Sequence, residues 1–236
     1  MDIPADAIAH YPGAGTLRVH PDPAWLAPPD PENPGPNRFD DPEGHTAVRY
    51  TAERLIACLL ETLSRFRALP RAEKRLAEMH GIDPDDIEHM PEDPEPIAAW
   101  LAEQRVGTVH VLDVGDFVEL ESEPMLRRLD MHPMVRAAIE LLDPEGHLDV
   151  ALLRLGGRKL GRPLSQAVGT AVRGGCPGAL GVGYHSRLAS DERCFAIWGT
   201  TLVDVKSAAL DPDNPRHRDA VRAVAARFEI DLPEGW

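Results

Sequence analysis

Residues 47–67 read AVRYTAERLIACLLETLSRFR, and within this stretch the pattern of apolar residues changes from that of a strand to that of a helix. Residues 47–50 have the character of a short strand. Thr51 is placed to cap a helix that continues to about Arg67, because apolar residues recur there at helical spacing. They form one stripe, which consists of Leu55, Ile56, Leu59, Leu60, Leu63 and Phe66.

Glu61 lies within this helix and outside its apolar stripe. On a helical wheel it lies nearly opposite the centre of the stripe, beside the small residues Ala57 and Ser64. A carboxylate in this position either faces solvent or has room beside it for a ligand. The residues alone leave both interpretations open.

A proline-rich segment precedes the strand. Ten of the 23 prolines lie in the first 42 residues, and residues 21–42 are too rich in proline for a helix or a sheet ladder. Residues 16–20 before them predict another strand. We therefore expect a long loop between two strands, and such loops in compact domains are often functional.

The rest of the chain predicts helices between further strands. Strands near both ends with helices between them favour the α+β class over alternating βαβ units. Helices are predicted at 71–80, 94–104, 133–142, 148–155, 163–173 and 215–228, and strands at 107–114, 116–120, 194–198 and 201–205. Residues 81–96 contain seven acids and no Lys or Arg, which is typical of a solvated loop.

Composition excludes several classes of protein. A chain of 236 residues can bury a core of its own, which favours a single domain. With 25 basic against 39 acidic residues and a net charge of −14, it lacks the positive field of a nucleic-acid binder. No apolar run approaches the ~18 residues of a membrane span, and the first residues do not resemble a signal peptide.

The cysteines and the known short motifs indicate neither a metal site nor a standard nucleophile. Cys58, Cys176 and Cys194 form no CxxC pair, which fits a reducing cytoplasm better than a disulfide framework. The glycine-rich runs do not match a P-loop or GxGxxG, and the context of Ser186 is not GxSxG. The histidines form no HExxH motif, so no metal is expected.

A sparse set of polar residues remains, and its order resembles that of the RES-domain family. The similarity runs from about Leu17 to Val205. The motifs that carry it are R-F-D-D-P from Arg38, A-V-R-Y ending at Tyr50, T-A-E-R-L-I-A-C-L-L-E ending at Glu61, G-Y-H-S-R around Ser186, and C-F-A-I-W from Cys194. The chain differs from the usual family pattern at Asp40 and Arg49.

The resemblance implies a fold and an activity. The fold would be related to ADP-ribosyltransferases, with a split mixed or antiparallel sheet and flanking helices. The activity would be cleavage of the nicotinamide–ribose bond of NAD, with ADP-ribose passing to phosphate or water. Many members are cytoplasmic toxins of toxin–antitoxin systems, so a cognate antitoxin is an expected partner. We expect one RES-like domain over 1–236, with a motif core at 17–205, a helical acidic insertion at 68–104 and a C-terminal helix at 215–228.

The resemblance also assigns roles to five residues. Glu61, Arg38 and Tyr50 are the expected catalytic residues, and Arg18, Arg38, Tyr50 and Ser186 are expected to bind NAD. Such residues suit the chemistry, because a carboxylate stabilises positive charge on a ribose and guanidinium groups bind phosphate oxygens. Tyr50 can stack on a base, and Ser186 can orient Glu61 or the ribose.

Two other functions fit the same residues. A protein ADP-ribosyltransferase would keep the fold and pass ADP-ribose to a side chain instead. A non-catalytic module would use the acidic surface and the proline-rich loop to contact a partner protein. Labelled protein after incubation with labelled NAD would indicate the first, and failure to release nicotinamide would indicate the second.

Overall fold

The computed structural model describes residues 3–21, 37–66, 96–155, 161–201 and 203–236. The predicted helix at 71–80, most of the acidic insertion and the centre of the proline-rich segment lie outside these residues. In the described part the chain has helices and an eight-stranded mixed sheet, which confirms the α+β class.

The sheet has the strand order β1-β5-β6-β7-β3-β2-β4-β8. Neighbouring strands are antiparallel except β5 and β6, which are parallel. The strands are β1 (Ile8–Ala9), β2 (Thr16–Pro21), β3 (Val48–Ala52), β4 (Gln104–Val111), β5 (Asp116–Glu119), β6 (Ala179–Ser186), β7 (Ala189–Trp198) and β8 (Val203–Ala209).

The sheet is narrow at the junction between β3 and β2. These strands pair at one position, Leu17 with Ala52, whereas β2 pairs with β4 from Thr16 to Pro21. Helix α1 (Leu55–Leu63) lies across this junction and contacts β2, β3 and β7. The Cys58 thiol fixes it there by donating to the Leu17 carbonyl at 3.0 Å. The sheet is therefore one hydrogen-bonded unit that is almost divided under α1.

Six further α-helices lie in the described residues. They are α2 (Ile97–Glu103), α3 (Glu123–Asp130), α4 (Pro133–Glu140), α5 (Val150–Leu153), α6 (Arg162–Gly175) and α7 (Pro215–Phe228). Helix α1 packs on α7, and α4 packs on α6. A smaller cluster on the sheet contains Phe117, Phe195 and Ile197. No helix within the described ranges combines the length and apolar character needed to cross a bilayer.

Several predicted boundaries were wrong. Thr51 does not cap α1, because it continues β3 and pairs with Phe195; the helix begins at Leu55 and is followed by a 3-10 turn at Ser64–Phe66. Gln104 opens β4 instead of ending a helix. The prediction also missed α3, whose charged sequence hides its two buried positions, Met125 and Leu129.

Candidate functional site

The structure brings the five expected site residues together from separate parts of the chain. Arg18 lies on β2, Arg38 in the loop before β3, Tyr50 on β3, Glu61 in the last turn of α1 and Ser186 at the end of β6. They gather where α1 crosses the narrow part of the sheet.

Glu61 is held by Ser186. The Ser186 hydroxyl donates to Glu61 Oε1 at 2.5 Å. Ser186 is fully buried, and its oxygen also accepts from the Leu188 N–H at 3.1 Å, which fixes the direction of the hydroxyl. Glu61 is partly buried, so it is not a simple surface glutamate. No described residue bonds to Oε2, which leaves one carboxylate oxygen for a ligand.

Arg38 is packed between aromatic rings and a backbone carbonyl. Its guanidinium carbon lies 5.0 Å from the centre of the Phe39 ring and 5.3 Å from that of Tyr184. Nη2 donates to the Leu153 carbonyl at 2.7 Å. Nε and Nη1 are buried, and no described residue accepts a hydrogen bond from them. A buried donor without an acceptor costs about 1–3 kcal/mol, so this arginine is well suited to an anionic ligand.

Tyr184 lies near both Arg38 and Glu61, and it was not among the site residues expected from the sequence. Burial raises its pKa well above the ordinary value, the Cys194 thiol and the Glu61 charge raise it further, and the Arg38 charge opposes them. Its ring packs edge-on against Phe39 at 4.8 Å. No strand was predicted at Ala179–Ser186; with that strand, the position of Tyr184 two residues before Ser186 places both side chains on one face.

Tyr50 tethers the loop that carries Arg38. Its hydroxyl accepts from the Phe39 N–H at 2.9 Å and donates to Asp40 Oδ1 at 2.8 Å. The other Asp40 oxygen accepts from the Asn37 backbone and side chain at 3.0 and 2.9 Å. Burial and the nearby Asp40 carboxylate raise the pKa of Tyr50, so the phenol stays neutral. Asp40, which departs from the family pattern, therefore has a structural role here.

Replacing Tyr50 with phenylalanine is expected to lower the free energy of unfolding by about 1–3 kcal/mol, because the buried Asp40 carboxylate loses a donor. Urea denaturation measures the change. Tyr11→Phe is the matched control, since that hydroxyl contacts Thr16 Oγ1 and the Val109 carbonyl, both uncharged. The assignment is wrong if Tyr50→Phe costs no more than Tyr11→Phe.

The same loop is fixed on its other side by α6. Arg173 donates to the Phe39 carbonyl at 2.9 Å. Gly169 allows this close approach, because a Cβ there would lie 2.9 Å from the Phe39 oxygen. The loop carrying Arg38 is thus held between β3 and α6, and the Arg38 side chain has a defined place.

Arg18 adds positive charge to the same region. Burial lowers its pKa, and the neighbouring Arg49 lowers it further by charge repulsion, while Tyr50 and Asp40 act in the opposite direction. Two partly buried guanidinium groups that repel each other are stabilised when an anion lies near them. Two guanidinium groups thus lie close together although the chain carries a net charge of −14.

No family model, curated protein or solved structure matched the chain.

We infer the chemistry of this site from the geometry of its residues. Glu61, whose Oε2 bonds to no described residue, and Arg38, whose buried Nε and Nη1 have no described acceptor, both lie near Tyr184. This set can bind a ligand that carries both an anionic group and a group that develops positive charge. A base or nicotinamide ring can pack on Tyr50, which is partly exposed, whereas Tyr184 is buried.

The thiols near the site are not suited to nucleophilic chemistry. Burial raises the pKa of Cys58 to about 12, although Arg18 and nearby backbone groups lower it in part. The pKa of Cys194 is also raised by burial, and the nearby Glu61 charge adds to the shift. Both thiols are therefore protonated at neutral pH. In the described part of the chain, no three His, Cys, Asp or Glu side chains are placed to hold a metal ion.

Proposed function

We propose that this chain is a RES-domain enzyme that cleaves NAD at the nicotinamide–ribose bond and passes ADP-ribose to phosphate or water. The observation that carries the proposal is the Ser186–Glu61 hydrogen bond, which leaves Oε2 of Glu61 without a bond to any described residue, while Arg38 and Glu61 both lie near Tyr184. Five residues that the family resemblance selected in sequence meet at one place.

In this proposal Glu61 acts on the ribose. Loss of neutral nicotinamide from the cationic ring leaves positive charge on the ribose carbon and oxygen. A nearby carboxylate stabilises that charge more in the transition state than in bound NAD, which lowers the barrier. Ser186 keeps the carboxylate in one orientation, because its hydroxyl can donate to only one acceptor.

The arginines hold the pyrophosphate. The buried Nε and Nη1 of Arg38 lack described acceptors, and phosphate oxygens would satisfy such donors. An anion between Arg18 and Arg49 would also offset their repulsion. Local phosphate affinity is therefore compatible with an acidic protein.

We also propose a fold family and a biological role for this chain. A sheet almost divided between β3 and β2, with α1 across the junction, supports a relation to ADP-ribosyltransferases. An enzyme that consumes NAD harms its own cell, so we propose a cytoplasmic toxin that a cognate antitoxin protein blocks.

The test is the identity of the product. Purified protein is incubated with labelled NAD, with and without inorganic phosphate, and the products are separated by chromatography. We expect free nicotinamide together with ADP-ribose or, with phosphate present, its phosphorylated form. Label attached to protein would favour an ADP-ribosyltransferase, and no nicotinamide release would favour a non-catalytic module.

A further inference from the structure

Glu121 lies just after the end of β5. It forms the centre of a charged network beside the site. Its carboxylate accepts from Arg154 Nε at 3.0 Å and from Nη2 at 2.5 Å. It also accepts from the His185 N–H at 3.0 Å and from His185 Nδ1 at 2.9 Å. The Glu121 side chain is 9% exposed, so these bonds are shielded from water.

Each partner of Glu121 is the chain neighbour of a group that positions a site residue. Arg154 follows Leu153, whose carbonyl accepts from Arg38. His185 precedes Ser186, whose hydroxyl holds Glu61. One carboxylate therefore connects the segment that fixes Arg38 with the strand end that fixes Glu61.

We infer that Glu121 is a positioning residue that sets the separation between Arg38 and the Glu61–Ser186 pair, and this inference rests on the proposed function. Glu121 contacts neither Arg38 nor the Glu61–Ser186 pair directly. It acts by holding two backbone segments, the end of α5 and the end of β6, at a fixed distance. In the proposed reaction that distance matches the pyrophosphate to the ribose of one NAD molecule.

The bonding pattern distinguishes Glu121 from an ordinary surface ion pair. Exposed pairs contribute little, because water and salt screen them. Here Nε and Nη2 of Arg154 bind one carboxylate oxygen of Glu121 each. The backbone N–H and the imidazole of His185 bind the same two oxygens. Burial raises the pKa of Glu121, but the bonds from Arg154 and His185 lower it by more, so the group stays ionised at neutral pH.

The test uses Glu121→Gln. The glutamine side chain has the same shape as that of glutamate. Its NH₂ group, however, points at a hydrogen-bond donor of Arg154 or His185, where the carboxylate had an acceptor oxygen. We expect kcat/KM for NAD to fall by about 10- to 100-fold, because small displacements of reacting groups have effects of this size. Both parts of the ratio should change: KM rises as Arg38 shifts, and kcat falls as Glu61 shifts. A purely structural role would reduce the folded fraction and leave KM unchanged.

A double variant tests the path through Arg38. If Glu121 acts on KM through Arg38, then adding Glu121→Gln to Arg38→Met raises KM much less than it does in the wild type. If the two increases in KM multiply fully, Glu121 does not act through Arg38 and the inference is wrong.

Asp130→Asn is the matched control. Asp130 also accepts from a histidine, an arginine and a backbone N–H, namely His147, Arg136 and Leu148. None of these neighbours a site residue, so its replacement should leave KM within about twofold of the wild type. An equal rise in KM for Asp130→Asn would overturn the inference.

Arg154→Lys covers the case in which Glu121→Gln does not fold. Lysine keeps the charge but loses the two-point contact, so we expect a several-fold rise in KM with little change in melting temperature. Wild-type release of nicotinamide together with unchanged KM in Arg154→Lys and Glu121→Gln refutes this inference alone. No release by the wild type refutes the proposed function, and the inference fails with it.

Discussion

Replacing Glu61 with glutamine is expected to slow nicotinamide release by at least about 100-fold, because the carboxylate that stabilises the ribosyl cation loses its charge. The glutamine amide oxygen can still accept from Ser186, so the fold should be retained. The measurement is the initial rate of nicotinamide release at saturating NAD. The loss should appear in kcat, since Glu61 acts mainly in the transition state.

Glu103→Gln is the control for this change. Glu103 is an exposed glutamate at the end of α2, and its replacement removes the same charge away from the site. We expect wild-type kinetics for this variant. Equal rates for Glu61→Gln and the wild type would show that Glu61 is not catalytic.

Replacing Arg38 with methionine is expected to raise KM for NAD by about 10- to 100-fold, because a charged hydrogen bond contributes about 1.5–3 kcal/mol. The substitution of Arg38 should have little effect on the stability of the fold. Methionine keeps an apolar stem against Phe39 and Tyr184, and it removes two buried donors that have no described acceptor. Steady-state kinetics and thermal melting with and without NAD measure the two effects.

Arg65→Met is the matched control for the loss of an arginine from aromatic rings. The Arg65 guanidinium lies 5.0 Å from the Phe66 ring centre and 5.4 Å from that of Trp100, much as Arg38 lies near its own two rings. It should leave KM unchanged. If Arg38→Met keeps the wild-type KM, or if NAD stabilises this variant as much as the wild type, Arg38 does not bind the pyrophosphate.

Local sequence patterns predicted several of the helices and strands. The helix at 215–228 was predicted with the bounds that the structure has, because Pro215 can start it and its apolar residues follow helical spacing. Strands β2, β3, β5 and β7 and helix α1 were also predicted, although their ends moved. At Thr51 and Ala52 strand pairing prevailed over capping, since Thr51 gains the partner Phe195 on β7, which no local pattern reveals.

The candidate site was only partly predictable. The resemblance selected residues that the structure places together, but it gave no partners for them. The tether of Tyr50 to Asp40 joins residues ten apart in sequence, and the bonds from Glu121 to Arg154 and His185 join residues 33 and 64 apart. Such contacts depend on the order of strands in the sheet, which a single sequence does not specify.

The most direct test of the central claim is the amount of nicotinamide that purified wild-type protein releases from millimolar NAD. We expect many moles of nicotinamide per mole of protein, with Glu103→Gln as active as the wild type and Glu61→Gln nearly inactive. Nicotinamide release no greater than in protein-free NAD would show that this chain does not cleave NAD.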